Sequence, residues 1–238
     1  MLHRLVINEE FDRDAAITPQ IYRILKERII KNDLPPGSRL SEPEVAQQYD
    51  ISRQPVRETF IKLAEEGLVI VRPQRKTLVT KIDLPTVLQS RFIREAVEAD
   101  IVALLAQAGD PALIRELRRQ LANQSEVAQV SRPDFINEDQ RFHRTLAEAA
   151  GKDVAWKFLE RINSQMDRVR FLSLRQFPAE QLVEEHSRVV DQIERGDAST
   201  AALAMRAHLK RLIGDLPQIA GEHADFFDRY DQKLIDDA

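Results

Sequence analysis

Apolar residues recur at helical spacing along almost the whole chain, with one short interruption. From Thr18 to Lys31, Ile21, Ile24, Leu25 and Ile29 fall on one helix face, and Pro35-Pro36-Gly37 follows as a stop. Ser41-Glu42-Pro43-Glu44 has the capping-box pattern and opens a short second helix that runs to about Tyr49. Ser52 is placed to cap a third helix. Pro55 lies in its first turn, where a missing N–H costs nothing, and Val56, Phe60 and Leu63 form its buried stripe.

That helix ends near Gly67, after which the period changes. Val69-Ile70-Val71 and Leu78-Val79-Thr80 are β-branched and apolar, joined by Arg72-Pro73-Gln74-Arg75-Lys76-Thr77. Three helices followed by a hairpin predict a winged helix-turn-helix over residues 1–82, whose third helix enters the major groove by its N-terminal end. From Asp83 onward only helical periodicity remains. Breaks at Gly109-Asp110-Pro111, Ser131-Arg132-Pro133, Gly151-Lys152-Asp153, Phe177-Pro178, Gly196-Asp197 and Gly214 divide residues 83–238 into about six helices, most near twenty residues. Short connections between such helices predict an all-α antiparallel bundle, so the fold class is mainly α.

Composition narrows the chemistry. The absence of cysteine excludes a disulfide framework, a thiol nucleophile and any thiolate metal site. The acidic start (Glu9, Glu10, Asp12, Asp14) is unlike a signal peptide, and the longest uncharged apolar run, around Ile101 to Ala106, is too short for a bilayer. A cytoplasmic protein with no membrane partner is expected. Net charge −4 speaks against nucleic acid until it is divided: residues 1–82 hold 14 Lys+Arg against 12 Asp+Glu, and the rest 21 against 27. Within Ser52 to Lys81 there are seven basic residues against Glu58, Glu65 and Glu66, an excess of +4 that can face phosphate.

Arg53 and Arg57 sit one turn apart at the start of the third helix, where both can reach base edges; a good bidentate arginine–guanine pair discriminates by about 1–3 kcal/mol. Ser52 and Gln54 are candidate base or phosphate contacts beside them, and Arg72, Arg75 and Lys76 at the hairpin tip suit phosphate or the minor groove. Taken alone, Arg53 and Arg57 also read as ordinary solvated charges. In the bundle, Asp139 and His143 are four apart and share a helix face. His186 and His208 lie on either side of Gly196-Asp197, each roughly 16–17 Å from that turn, so an antiparallel hairpin sets them level. Three imidazoles and a carboxylate suit Zn²⁺ best, with Ni²⁺, Mn²⁺ or Fe²⁺ as alternatives. Singly, each histidine also reads as a satisfied core or surface residue. Arg168 and Arg170 are two apart and must point to different sides of their helix.

Three stretches, Pro36-Gly37-Ser38-Arg39-Leu40-Ser41-Glu42, Ile51-Ser52-Arg53-Gln54-Pro55-Val56-Arg57-Glu58 and Leu63-Ala64-Glu65-Glu66-Gly67-Leu68-Val69, resemble the DNA-binding domain of GntR-type bacterial transcription regulators. Asp139-Gln140-Arg141-Phe142-His143, His186 ahead of Ile193-Glu194-Arg195-Gly196-Asp197, and His208 resemble the all-helical FCD effector domain of the FadR subgroup. The resemblance implies operator contacts from Ser52, Arg53 and Arg57. It also implies a divalent ion on Asp139, His143, His186 and His208, with open positions facing a ligand cavity, and Arg94 facing that cavity. With Arg168 or Arg170 as a second cation, such a cavity favours a small organic acid. The expected protein is a homodimeric, ligand-responsive repressor, each protomer reading half of a pseudopalindromic double-stranded operator. The alternatives are a regulator for which the metal itself is the signal and a metal-dependent hydrolase or dioxygenase. The last lacks a positioned general base in the sequence.

Overall fold

The computed structural model describes residues 11–71 and 76–228. The head comprises α1 (Ile17–Ile30), β1 (Arg39–Leu40), α2 (Glu42–Tyr49), α3 (Arg53–Glu65), β2 (Val69–Ile70) and β3 (Thr77–Val79). Its core gathers the apolar stripes of the three helices, with Ile21, Leu25, Val56, Phe60 and Leu63 all buried. The Glu44 N–H donates to the Ser41 hydroxyl at 3.4 Å, which completes one half of the capping box. Ser52 occupies the N-cap of α3, but its hydroxyl makes no capping bond, contrary to the sequence expectation. Gly67 ends the α3 segment in the left-handed region (φ +69°), where a glycine pays no Cβ penalty.

The hairpin is present, with β2 antiparallel to β3 and Val69 opposite Val79; the tip residues 72–75, including Arg72, Gln74 and Arg75, lie outside the described residues. One strand was not anticipated. β1 pairs with the other edge of β3 (Arg39 opposite Leu78), giving the order β1-β3-β2. Two residues are too short to display a period, so this strand exists only because β3 offers it a partner.

The body is built from seven helices among the described residues: α4 (Leu84–Ala108), α5 (Pro111–Ala128), α6 (Arg132–Ala149), α7 (Asp153–Ile162), α8 (Ser164–Gln176), α9 (Glu180–Glu194) and α10 (Ala198–Glu222). Local capping explains most starts: Asp83, Asp110, Ser131 and Asp197 each accept a backbone N–H from the first turn of α4, α5, α6 and α10. Two expectations fail. Gly214 breaks nothing, because α10 runs through it and through Pro217, held by the buried row Ile213, Leu216, Ile219 and Ala220. Conversely, the chain turns at Asn163 between α7 and α8 with no glycine or proline to mark it; the Ser90 hydroxyl of α4 donates to the Ile162 carbonyl at 2.8 Å and so satisfies a group that the turn releases.

α4 runs through the centre of the body against α10, α9 and α6, and the main body core includes Val102, Leu105, Leu117, Phe142, Leu146, Val189 and Met205. A second cluster (Ile82, Leu84, Val169, Leu172, Leu216) lies where the head joins the body, with Phe227 returning beside Ile82. Head and body are also stitched by polar contacts: the Gln165 amide donates to the Gly67 carbonyl at 2.7 Å, and the Ser164 hydroxyl donates to the Glu66 carboxylate.

Candidate functional site

Two sites emerge, one on each part of the chain. On the head, the start of α3 presents Ser52, Arg53, Gln54 and Arg57 to solvent. The buried stripe Val56, Phe60 and Leu63 fixes the opposite face to the head core, which is what turns the arginines outward. Among the described residues neither arginine is held in an ion pair or hydrogen bond, and the Ser52 hydroxyl is not spent on capping. Gln54 does have a partner: its amide donates to Glu58 at 3.0 Å. Lys76, at the base of the wing, forms an ion pair with Glu44 of α2 at 2.8 Å, so this cation has an acid beside it that sequence proximity did not reveal. No comparable statement holds for Arg75, which is outside the described residues.

In the body, α6 contributes Asp139 and His143, α9 His186 and α10 His208, all buried. The hairpin of α9 and α10 does set its histidines level: the two Nε2 atoms are 3.2 Å apart, and His143 Nε2 is 3.3 Å from that of His208. Each ring is oriented from its other nitrogen. His143 Nδ1 meets the Glu98 carboxylate, His186 Nδ1 meets the Gln124 amide oxygen at 2.8 Å, and His208 Nδ1 meets the Glu185 carboxylate at 3.1 Å. Acceptors on all three Nδ1 atoms place the protons there, leaving three bare Nε2 lone pairs turned towards one another. Phe142 stacks on His186 with centroids 4.4 Å apart and restrains its ring plane.

The ligand nitrogens of the three histidines all lie within 4.8 Å of one another, and Asp139 stands beside this triad. One of its carboxylate oxygens is paired with Arg170, while Oδ1 is buried, has no hydrogen-bond donor and lies 3.6 Å from His186 Nε2. Burial alone would raise this carboxyl, but the Arg170 guanidinium beside it outweighs burial and holds the group well below the usual carboxylate range. Burial, reinforced by Arg94 for His143 and by His208 for His186, pushes both imidazoles well below the ordinary histidine pKa. Three neutral imidazole nitrogens and one ionised, undonated carboxylate oxygen are a donor set that fits a divalent cation and is poorly satisfied by protein atoms alone.

A cavity of about 40 Å³ adjoins Asp139 and His208. Arg94 and Arg170 line it, as do Arg211 and Asp215, which the sequence did not single out; Phe135, Met166 and Leu209 are among its apolar walls. The arginines are not free, since Arg94 pairs with Glu98 and Arg170 with Asp139. Arg168 departs from expectation. It is fully buried on the other side of α8 and away from the cavity, where its guanidinium donates to the Thr80 carbonyl at 3.0 Å; burial lowers its pKa to about 10. A two-residue offset turns a helical side chain by about 200°, so only one of the pair can face the histidines, and it is Arg170.

Sequence reading overlooked the orienting residues Glu98, Gln124 and Glu185. A partial signal existed for the first two, since each follows or precedes apolar residues on its helix face (Ile101, Val102 and Leu105; Leu117 and Leu121), although Arg94 and Gln120 share those faces. Glu185 is preceded and followed by polar residues and carried none.

Comparison with known proteins places both parts of the chain in one family. Residues 17–79 match the description "Bacterial regulatory proteins, gntR family", and residues 90–211 match the FCD domain. The HTH-type transcriptional repressor RspR of Escherichia coli K12 is 33% identical over 225 residues, covering 94% of this chain and 99% of RspR. A putative GntR transcriptional regulator from Rhodococcus sp. RHA1 superposes with a TM-score of 0.67 at 25% identity, over 86% of this chain and 97% of that one. The E. coli protein McbR/YncC shares the fold at a TM-score of 0.73 and 19% identity, over 86% of this chain and 98% of its own.

Proposed function

The chain belongs to the GntR family of bacterial regulatory proteins, as a DNA-binding transcription regulator with an FCD effector domain, and from that premise we propose that it is a metal-containing repressor released or engaged by a small carboxylate. The observation that carries this reading is the convergence of three bare imidazole Nε2 atoms beside the undonated Oδ1 of Asp139. Asp139, His143, His186 and His208 would hold a divalent ion, Zn²⁺ above Ni²⁺, Mn²⁺ or Fe²⁺. Its positive charge would draw an anionic ligand to the adjoining cavity.

The chain's own residues then do the rest. Arg170 and Arg94 orient a carboxylate entering the cavity, at the cost of loosening their present pairing with Asp139 and Glu98. Because Arg170 and Arg168 stand on the same helix, facing the cavity and Thr80 respectively, a shift of α8 is felt at the segment that joins the head. A ligand changes operator affinity only through its unequal affinity for the two head placements. Arg53 and Arg57 read the bases, and a symmetric dimer doubles the half-site. No helix among the described residues is long and apolar enough to cross a membrane.

The test combines elemental analysis of chelator-free protein with an operator mobility-shift assay in the presence of candidate organic acids. One tightly held divalent ion per chain and a metal-dependent response to an acid are expected. Protein that takes up no Zn²⁺ or Ni²⁺ rules the proposal out, and release by chelator alone, with no acid required, makes the metal the signal instead.

A further inference from the structure

Between α1 of the head and α6 and α7 of the body lies a cleft of about 710 Å³, distinct from the cavity beside the histidines but sharing Arg94 and Arg170 as wall residues. Its charge is lopsided. Each acid on its walls is already engaged: Glu27 with Lys31, Glu160 with Arg144, and Asp167 with Arg170 at 3.9 Å. Lys26 is taken by Glu66 at 2.7 Å. Among the described residues this leaves Arg23 on the head wall, and Lys157 and Arg161 on the body wall, with no acidic partner. The wall also contains Trp156, a buried residue whose indole N–H has no acceptor. A buried donor without a partner is uncommon enough to ask what accepts from it.

We propose that this cleft is a second anion site, for a small polyanion with at least two acidic groups: an organic bisphosphate or a tricarboxylate. Three uncompensated cations on facing walls leave a monoanion able to satisfy only one side, whereas a polyanion bridges Arg23 to Lys157 and Arg161. The volume falls within the roughly 300–1,000 Å³ of small-molecule sites. Since the cations stand on two separately packed parts of the chain, an occupant ties the head to the body in this placement. It thereby adds an input to operator binding that does not pass through the histidine cluster.

Trp156 is the only tryptophan, so indole emission comes from this wall, at the point where it packs on the body core. Full-length protein is titrated at constant ionic strength with fructose 1,6-bisphosphate and, separately, with tricarballylate. A saturable emission change in at least one arm is expected, and the responding arm identifies phosphate or carboxylate as the recognised group. Lys157→Ala and Arg23→Ala, both at exposed positions, should weaken the apparent Kd at least about tenfold, as expected for loss of a charge-assisted contact. Loading the protein with Zn²⁺ and desalting it before the titration should leave that Kd unchanged, which separates this site from the metal cavity. The proposal is overturned by the absence of saturation in both arms, by equal affinity in the cleft variants, or by a response that requires the loaded metal.

Discussion

The carboxylate of Glu98 on α4 joins two groups that the chain separates widely: it accepts from Nδ1 of His143, 45 residues later, and pairs through its other oxygen with Arg94, one turn earlier on its own helix. Glu98 is 2% exposed. A buried carboxylate in this position holds the His143 tautomer and also keeps the Arg94 guanidinium beside the cavity. Its contacts make it a positioning group for both side chains.

Glu98→Gln tests that role. The amide preserves size and one acceptor but removes the charge that orients both partners. Metal affinity, measured by competition with a chelator of known strength, should fall about 10–100-fold, the usual effect of losing such an orienting group. Retained Arg53-dependent operator binding in the same variant would separate a local effect from general unfolding. Unchanged metal affinity would remove Glu98 from the site.

Arg53→Ala and Arg57→Ala should each cost about 1–3 kcal/mol of specific operator binding while leaving the melting temperature within about a degree or two. Both side chains are exposed and unpaired among the described residues, so the folded state loses nothing by their removal. Shift assays on operator and on scrambled DNA are the measurement. An equal loss on both DNAs would reassign the arginines to phosphate contacts.

Arg170 and Arg168 should respond differently to the same change. Arg170→Met leaves the buried Asp139 carboxylate without its cation, and breaking such a pair costs about 3–5 kcal/mol, so denaturant midpoints should drop sharply. Arg168→Met loses the bond to Thr80 but also releases a buried charge that has no acid beside it, so its cost should be much the smaller. Urea unfolding of the two metal-free variants decides the order, and a larger loss for Arg168→Met would refute it.

The pH dependence rests on Asp167. Burial raises its carboxyl pKa against the pull of Arg170, Arg94 and Lys26, so the native value lies above the unfolded one. A group shifted in this direction contributes stability that is fully present below the unfolded pKa, near 3.9, and is lost as pH rises through the native value. Asp167→Asn should therefore be more stable than the parent at pH 7.5, with the difference closing by about pH 4. Melting curves of chelator-treated proteins at the two pH values provide the check; a variant less stable at pH 7.5 contradicts the assignment.

How far the site could be read in advance depended on the distance between its parts along the chain. Asp139 and His143 lie within one helical turn, and His186 and His208 flank one tight turn at matched distances, so helix geometry alone sets their relation. Glu98, Gln124 and Arg170 reach the same point from α4, α5 and α8, and nothing local connects them with the histidines.

The sequence by itself determined the winged head with its exposed Arg53 and Arg57, the helical body and the four ligand-type residues, because period, caps and within-turn spacing are short-range properties. Only the tertiary structure decided that Arg170 and not Arg168 faces the cavity, that β1 forms, that α10 continues through Gly214 and Pro217, and that the chain turns at Asn163. In these cases the local preference is weak or opposed, and what outweighs it is a partner supplied from far along the chain: a strand edge for β1, the apolar surface of α4 against the buried row of α10, and the Ser90 hydroxyl for the end of α7.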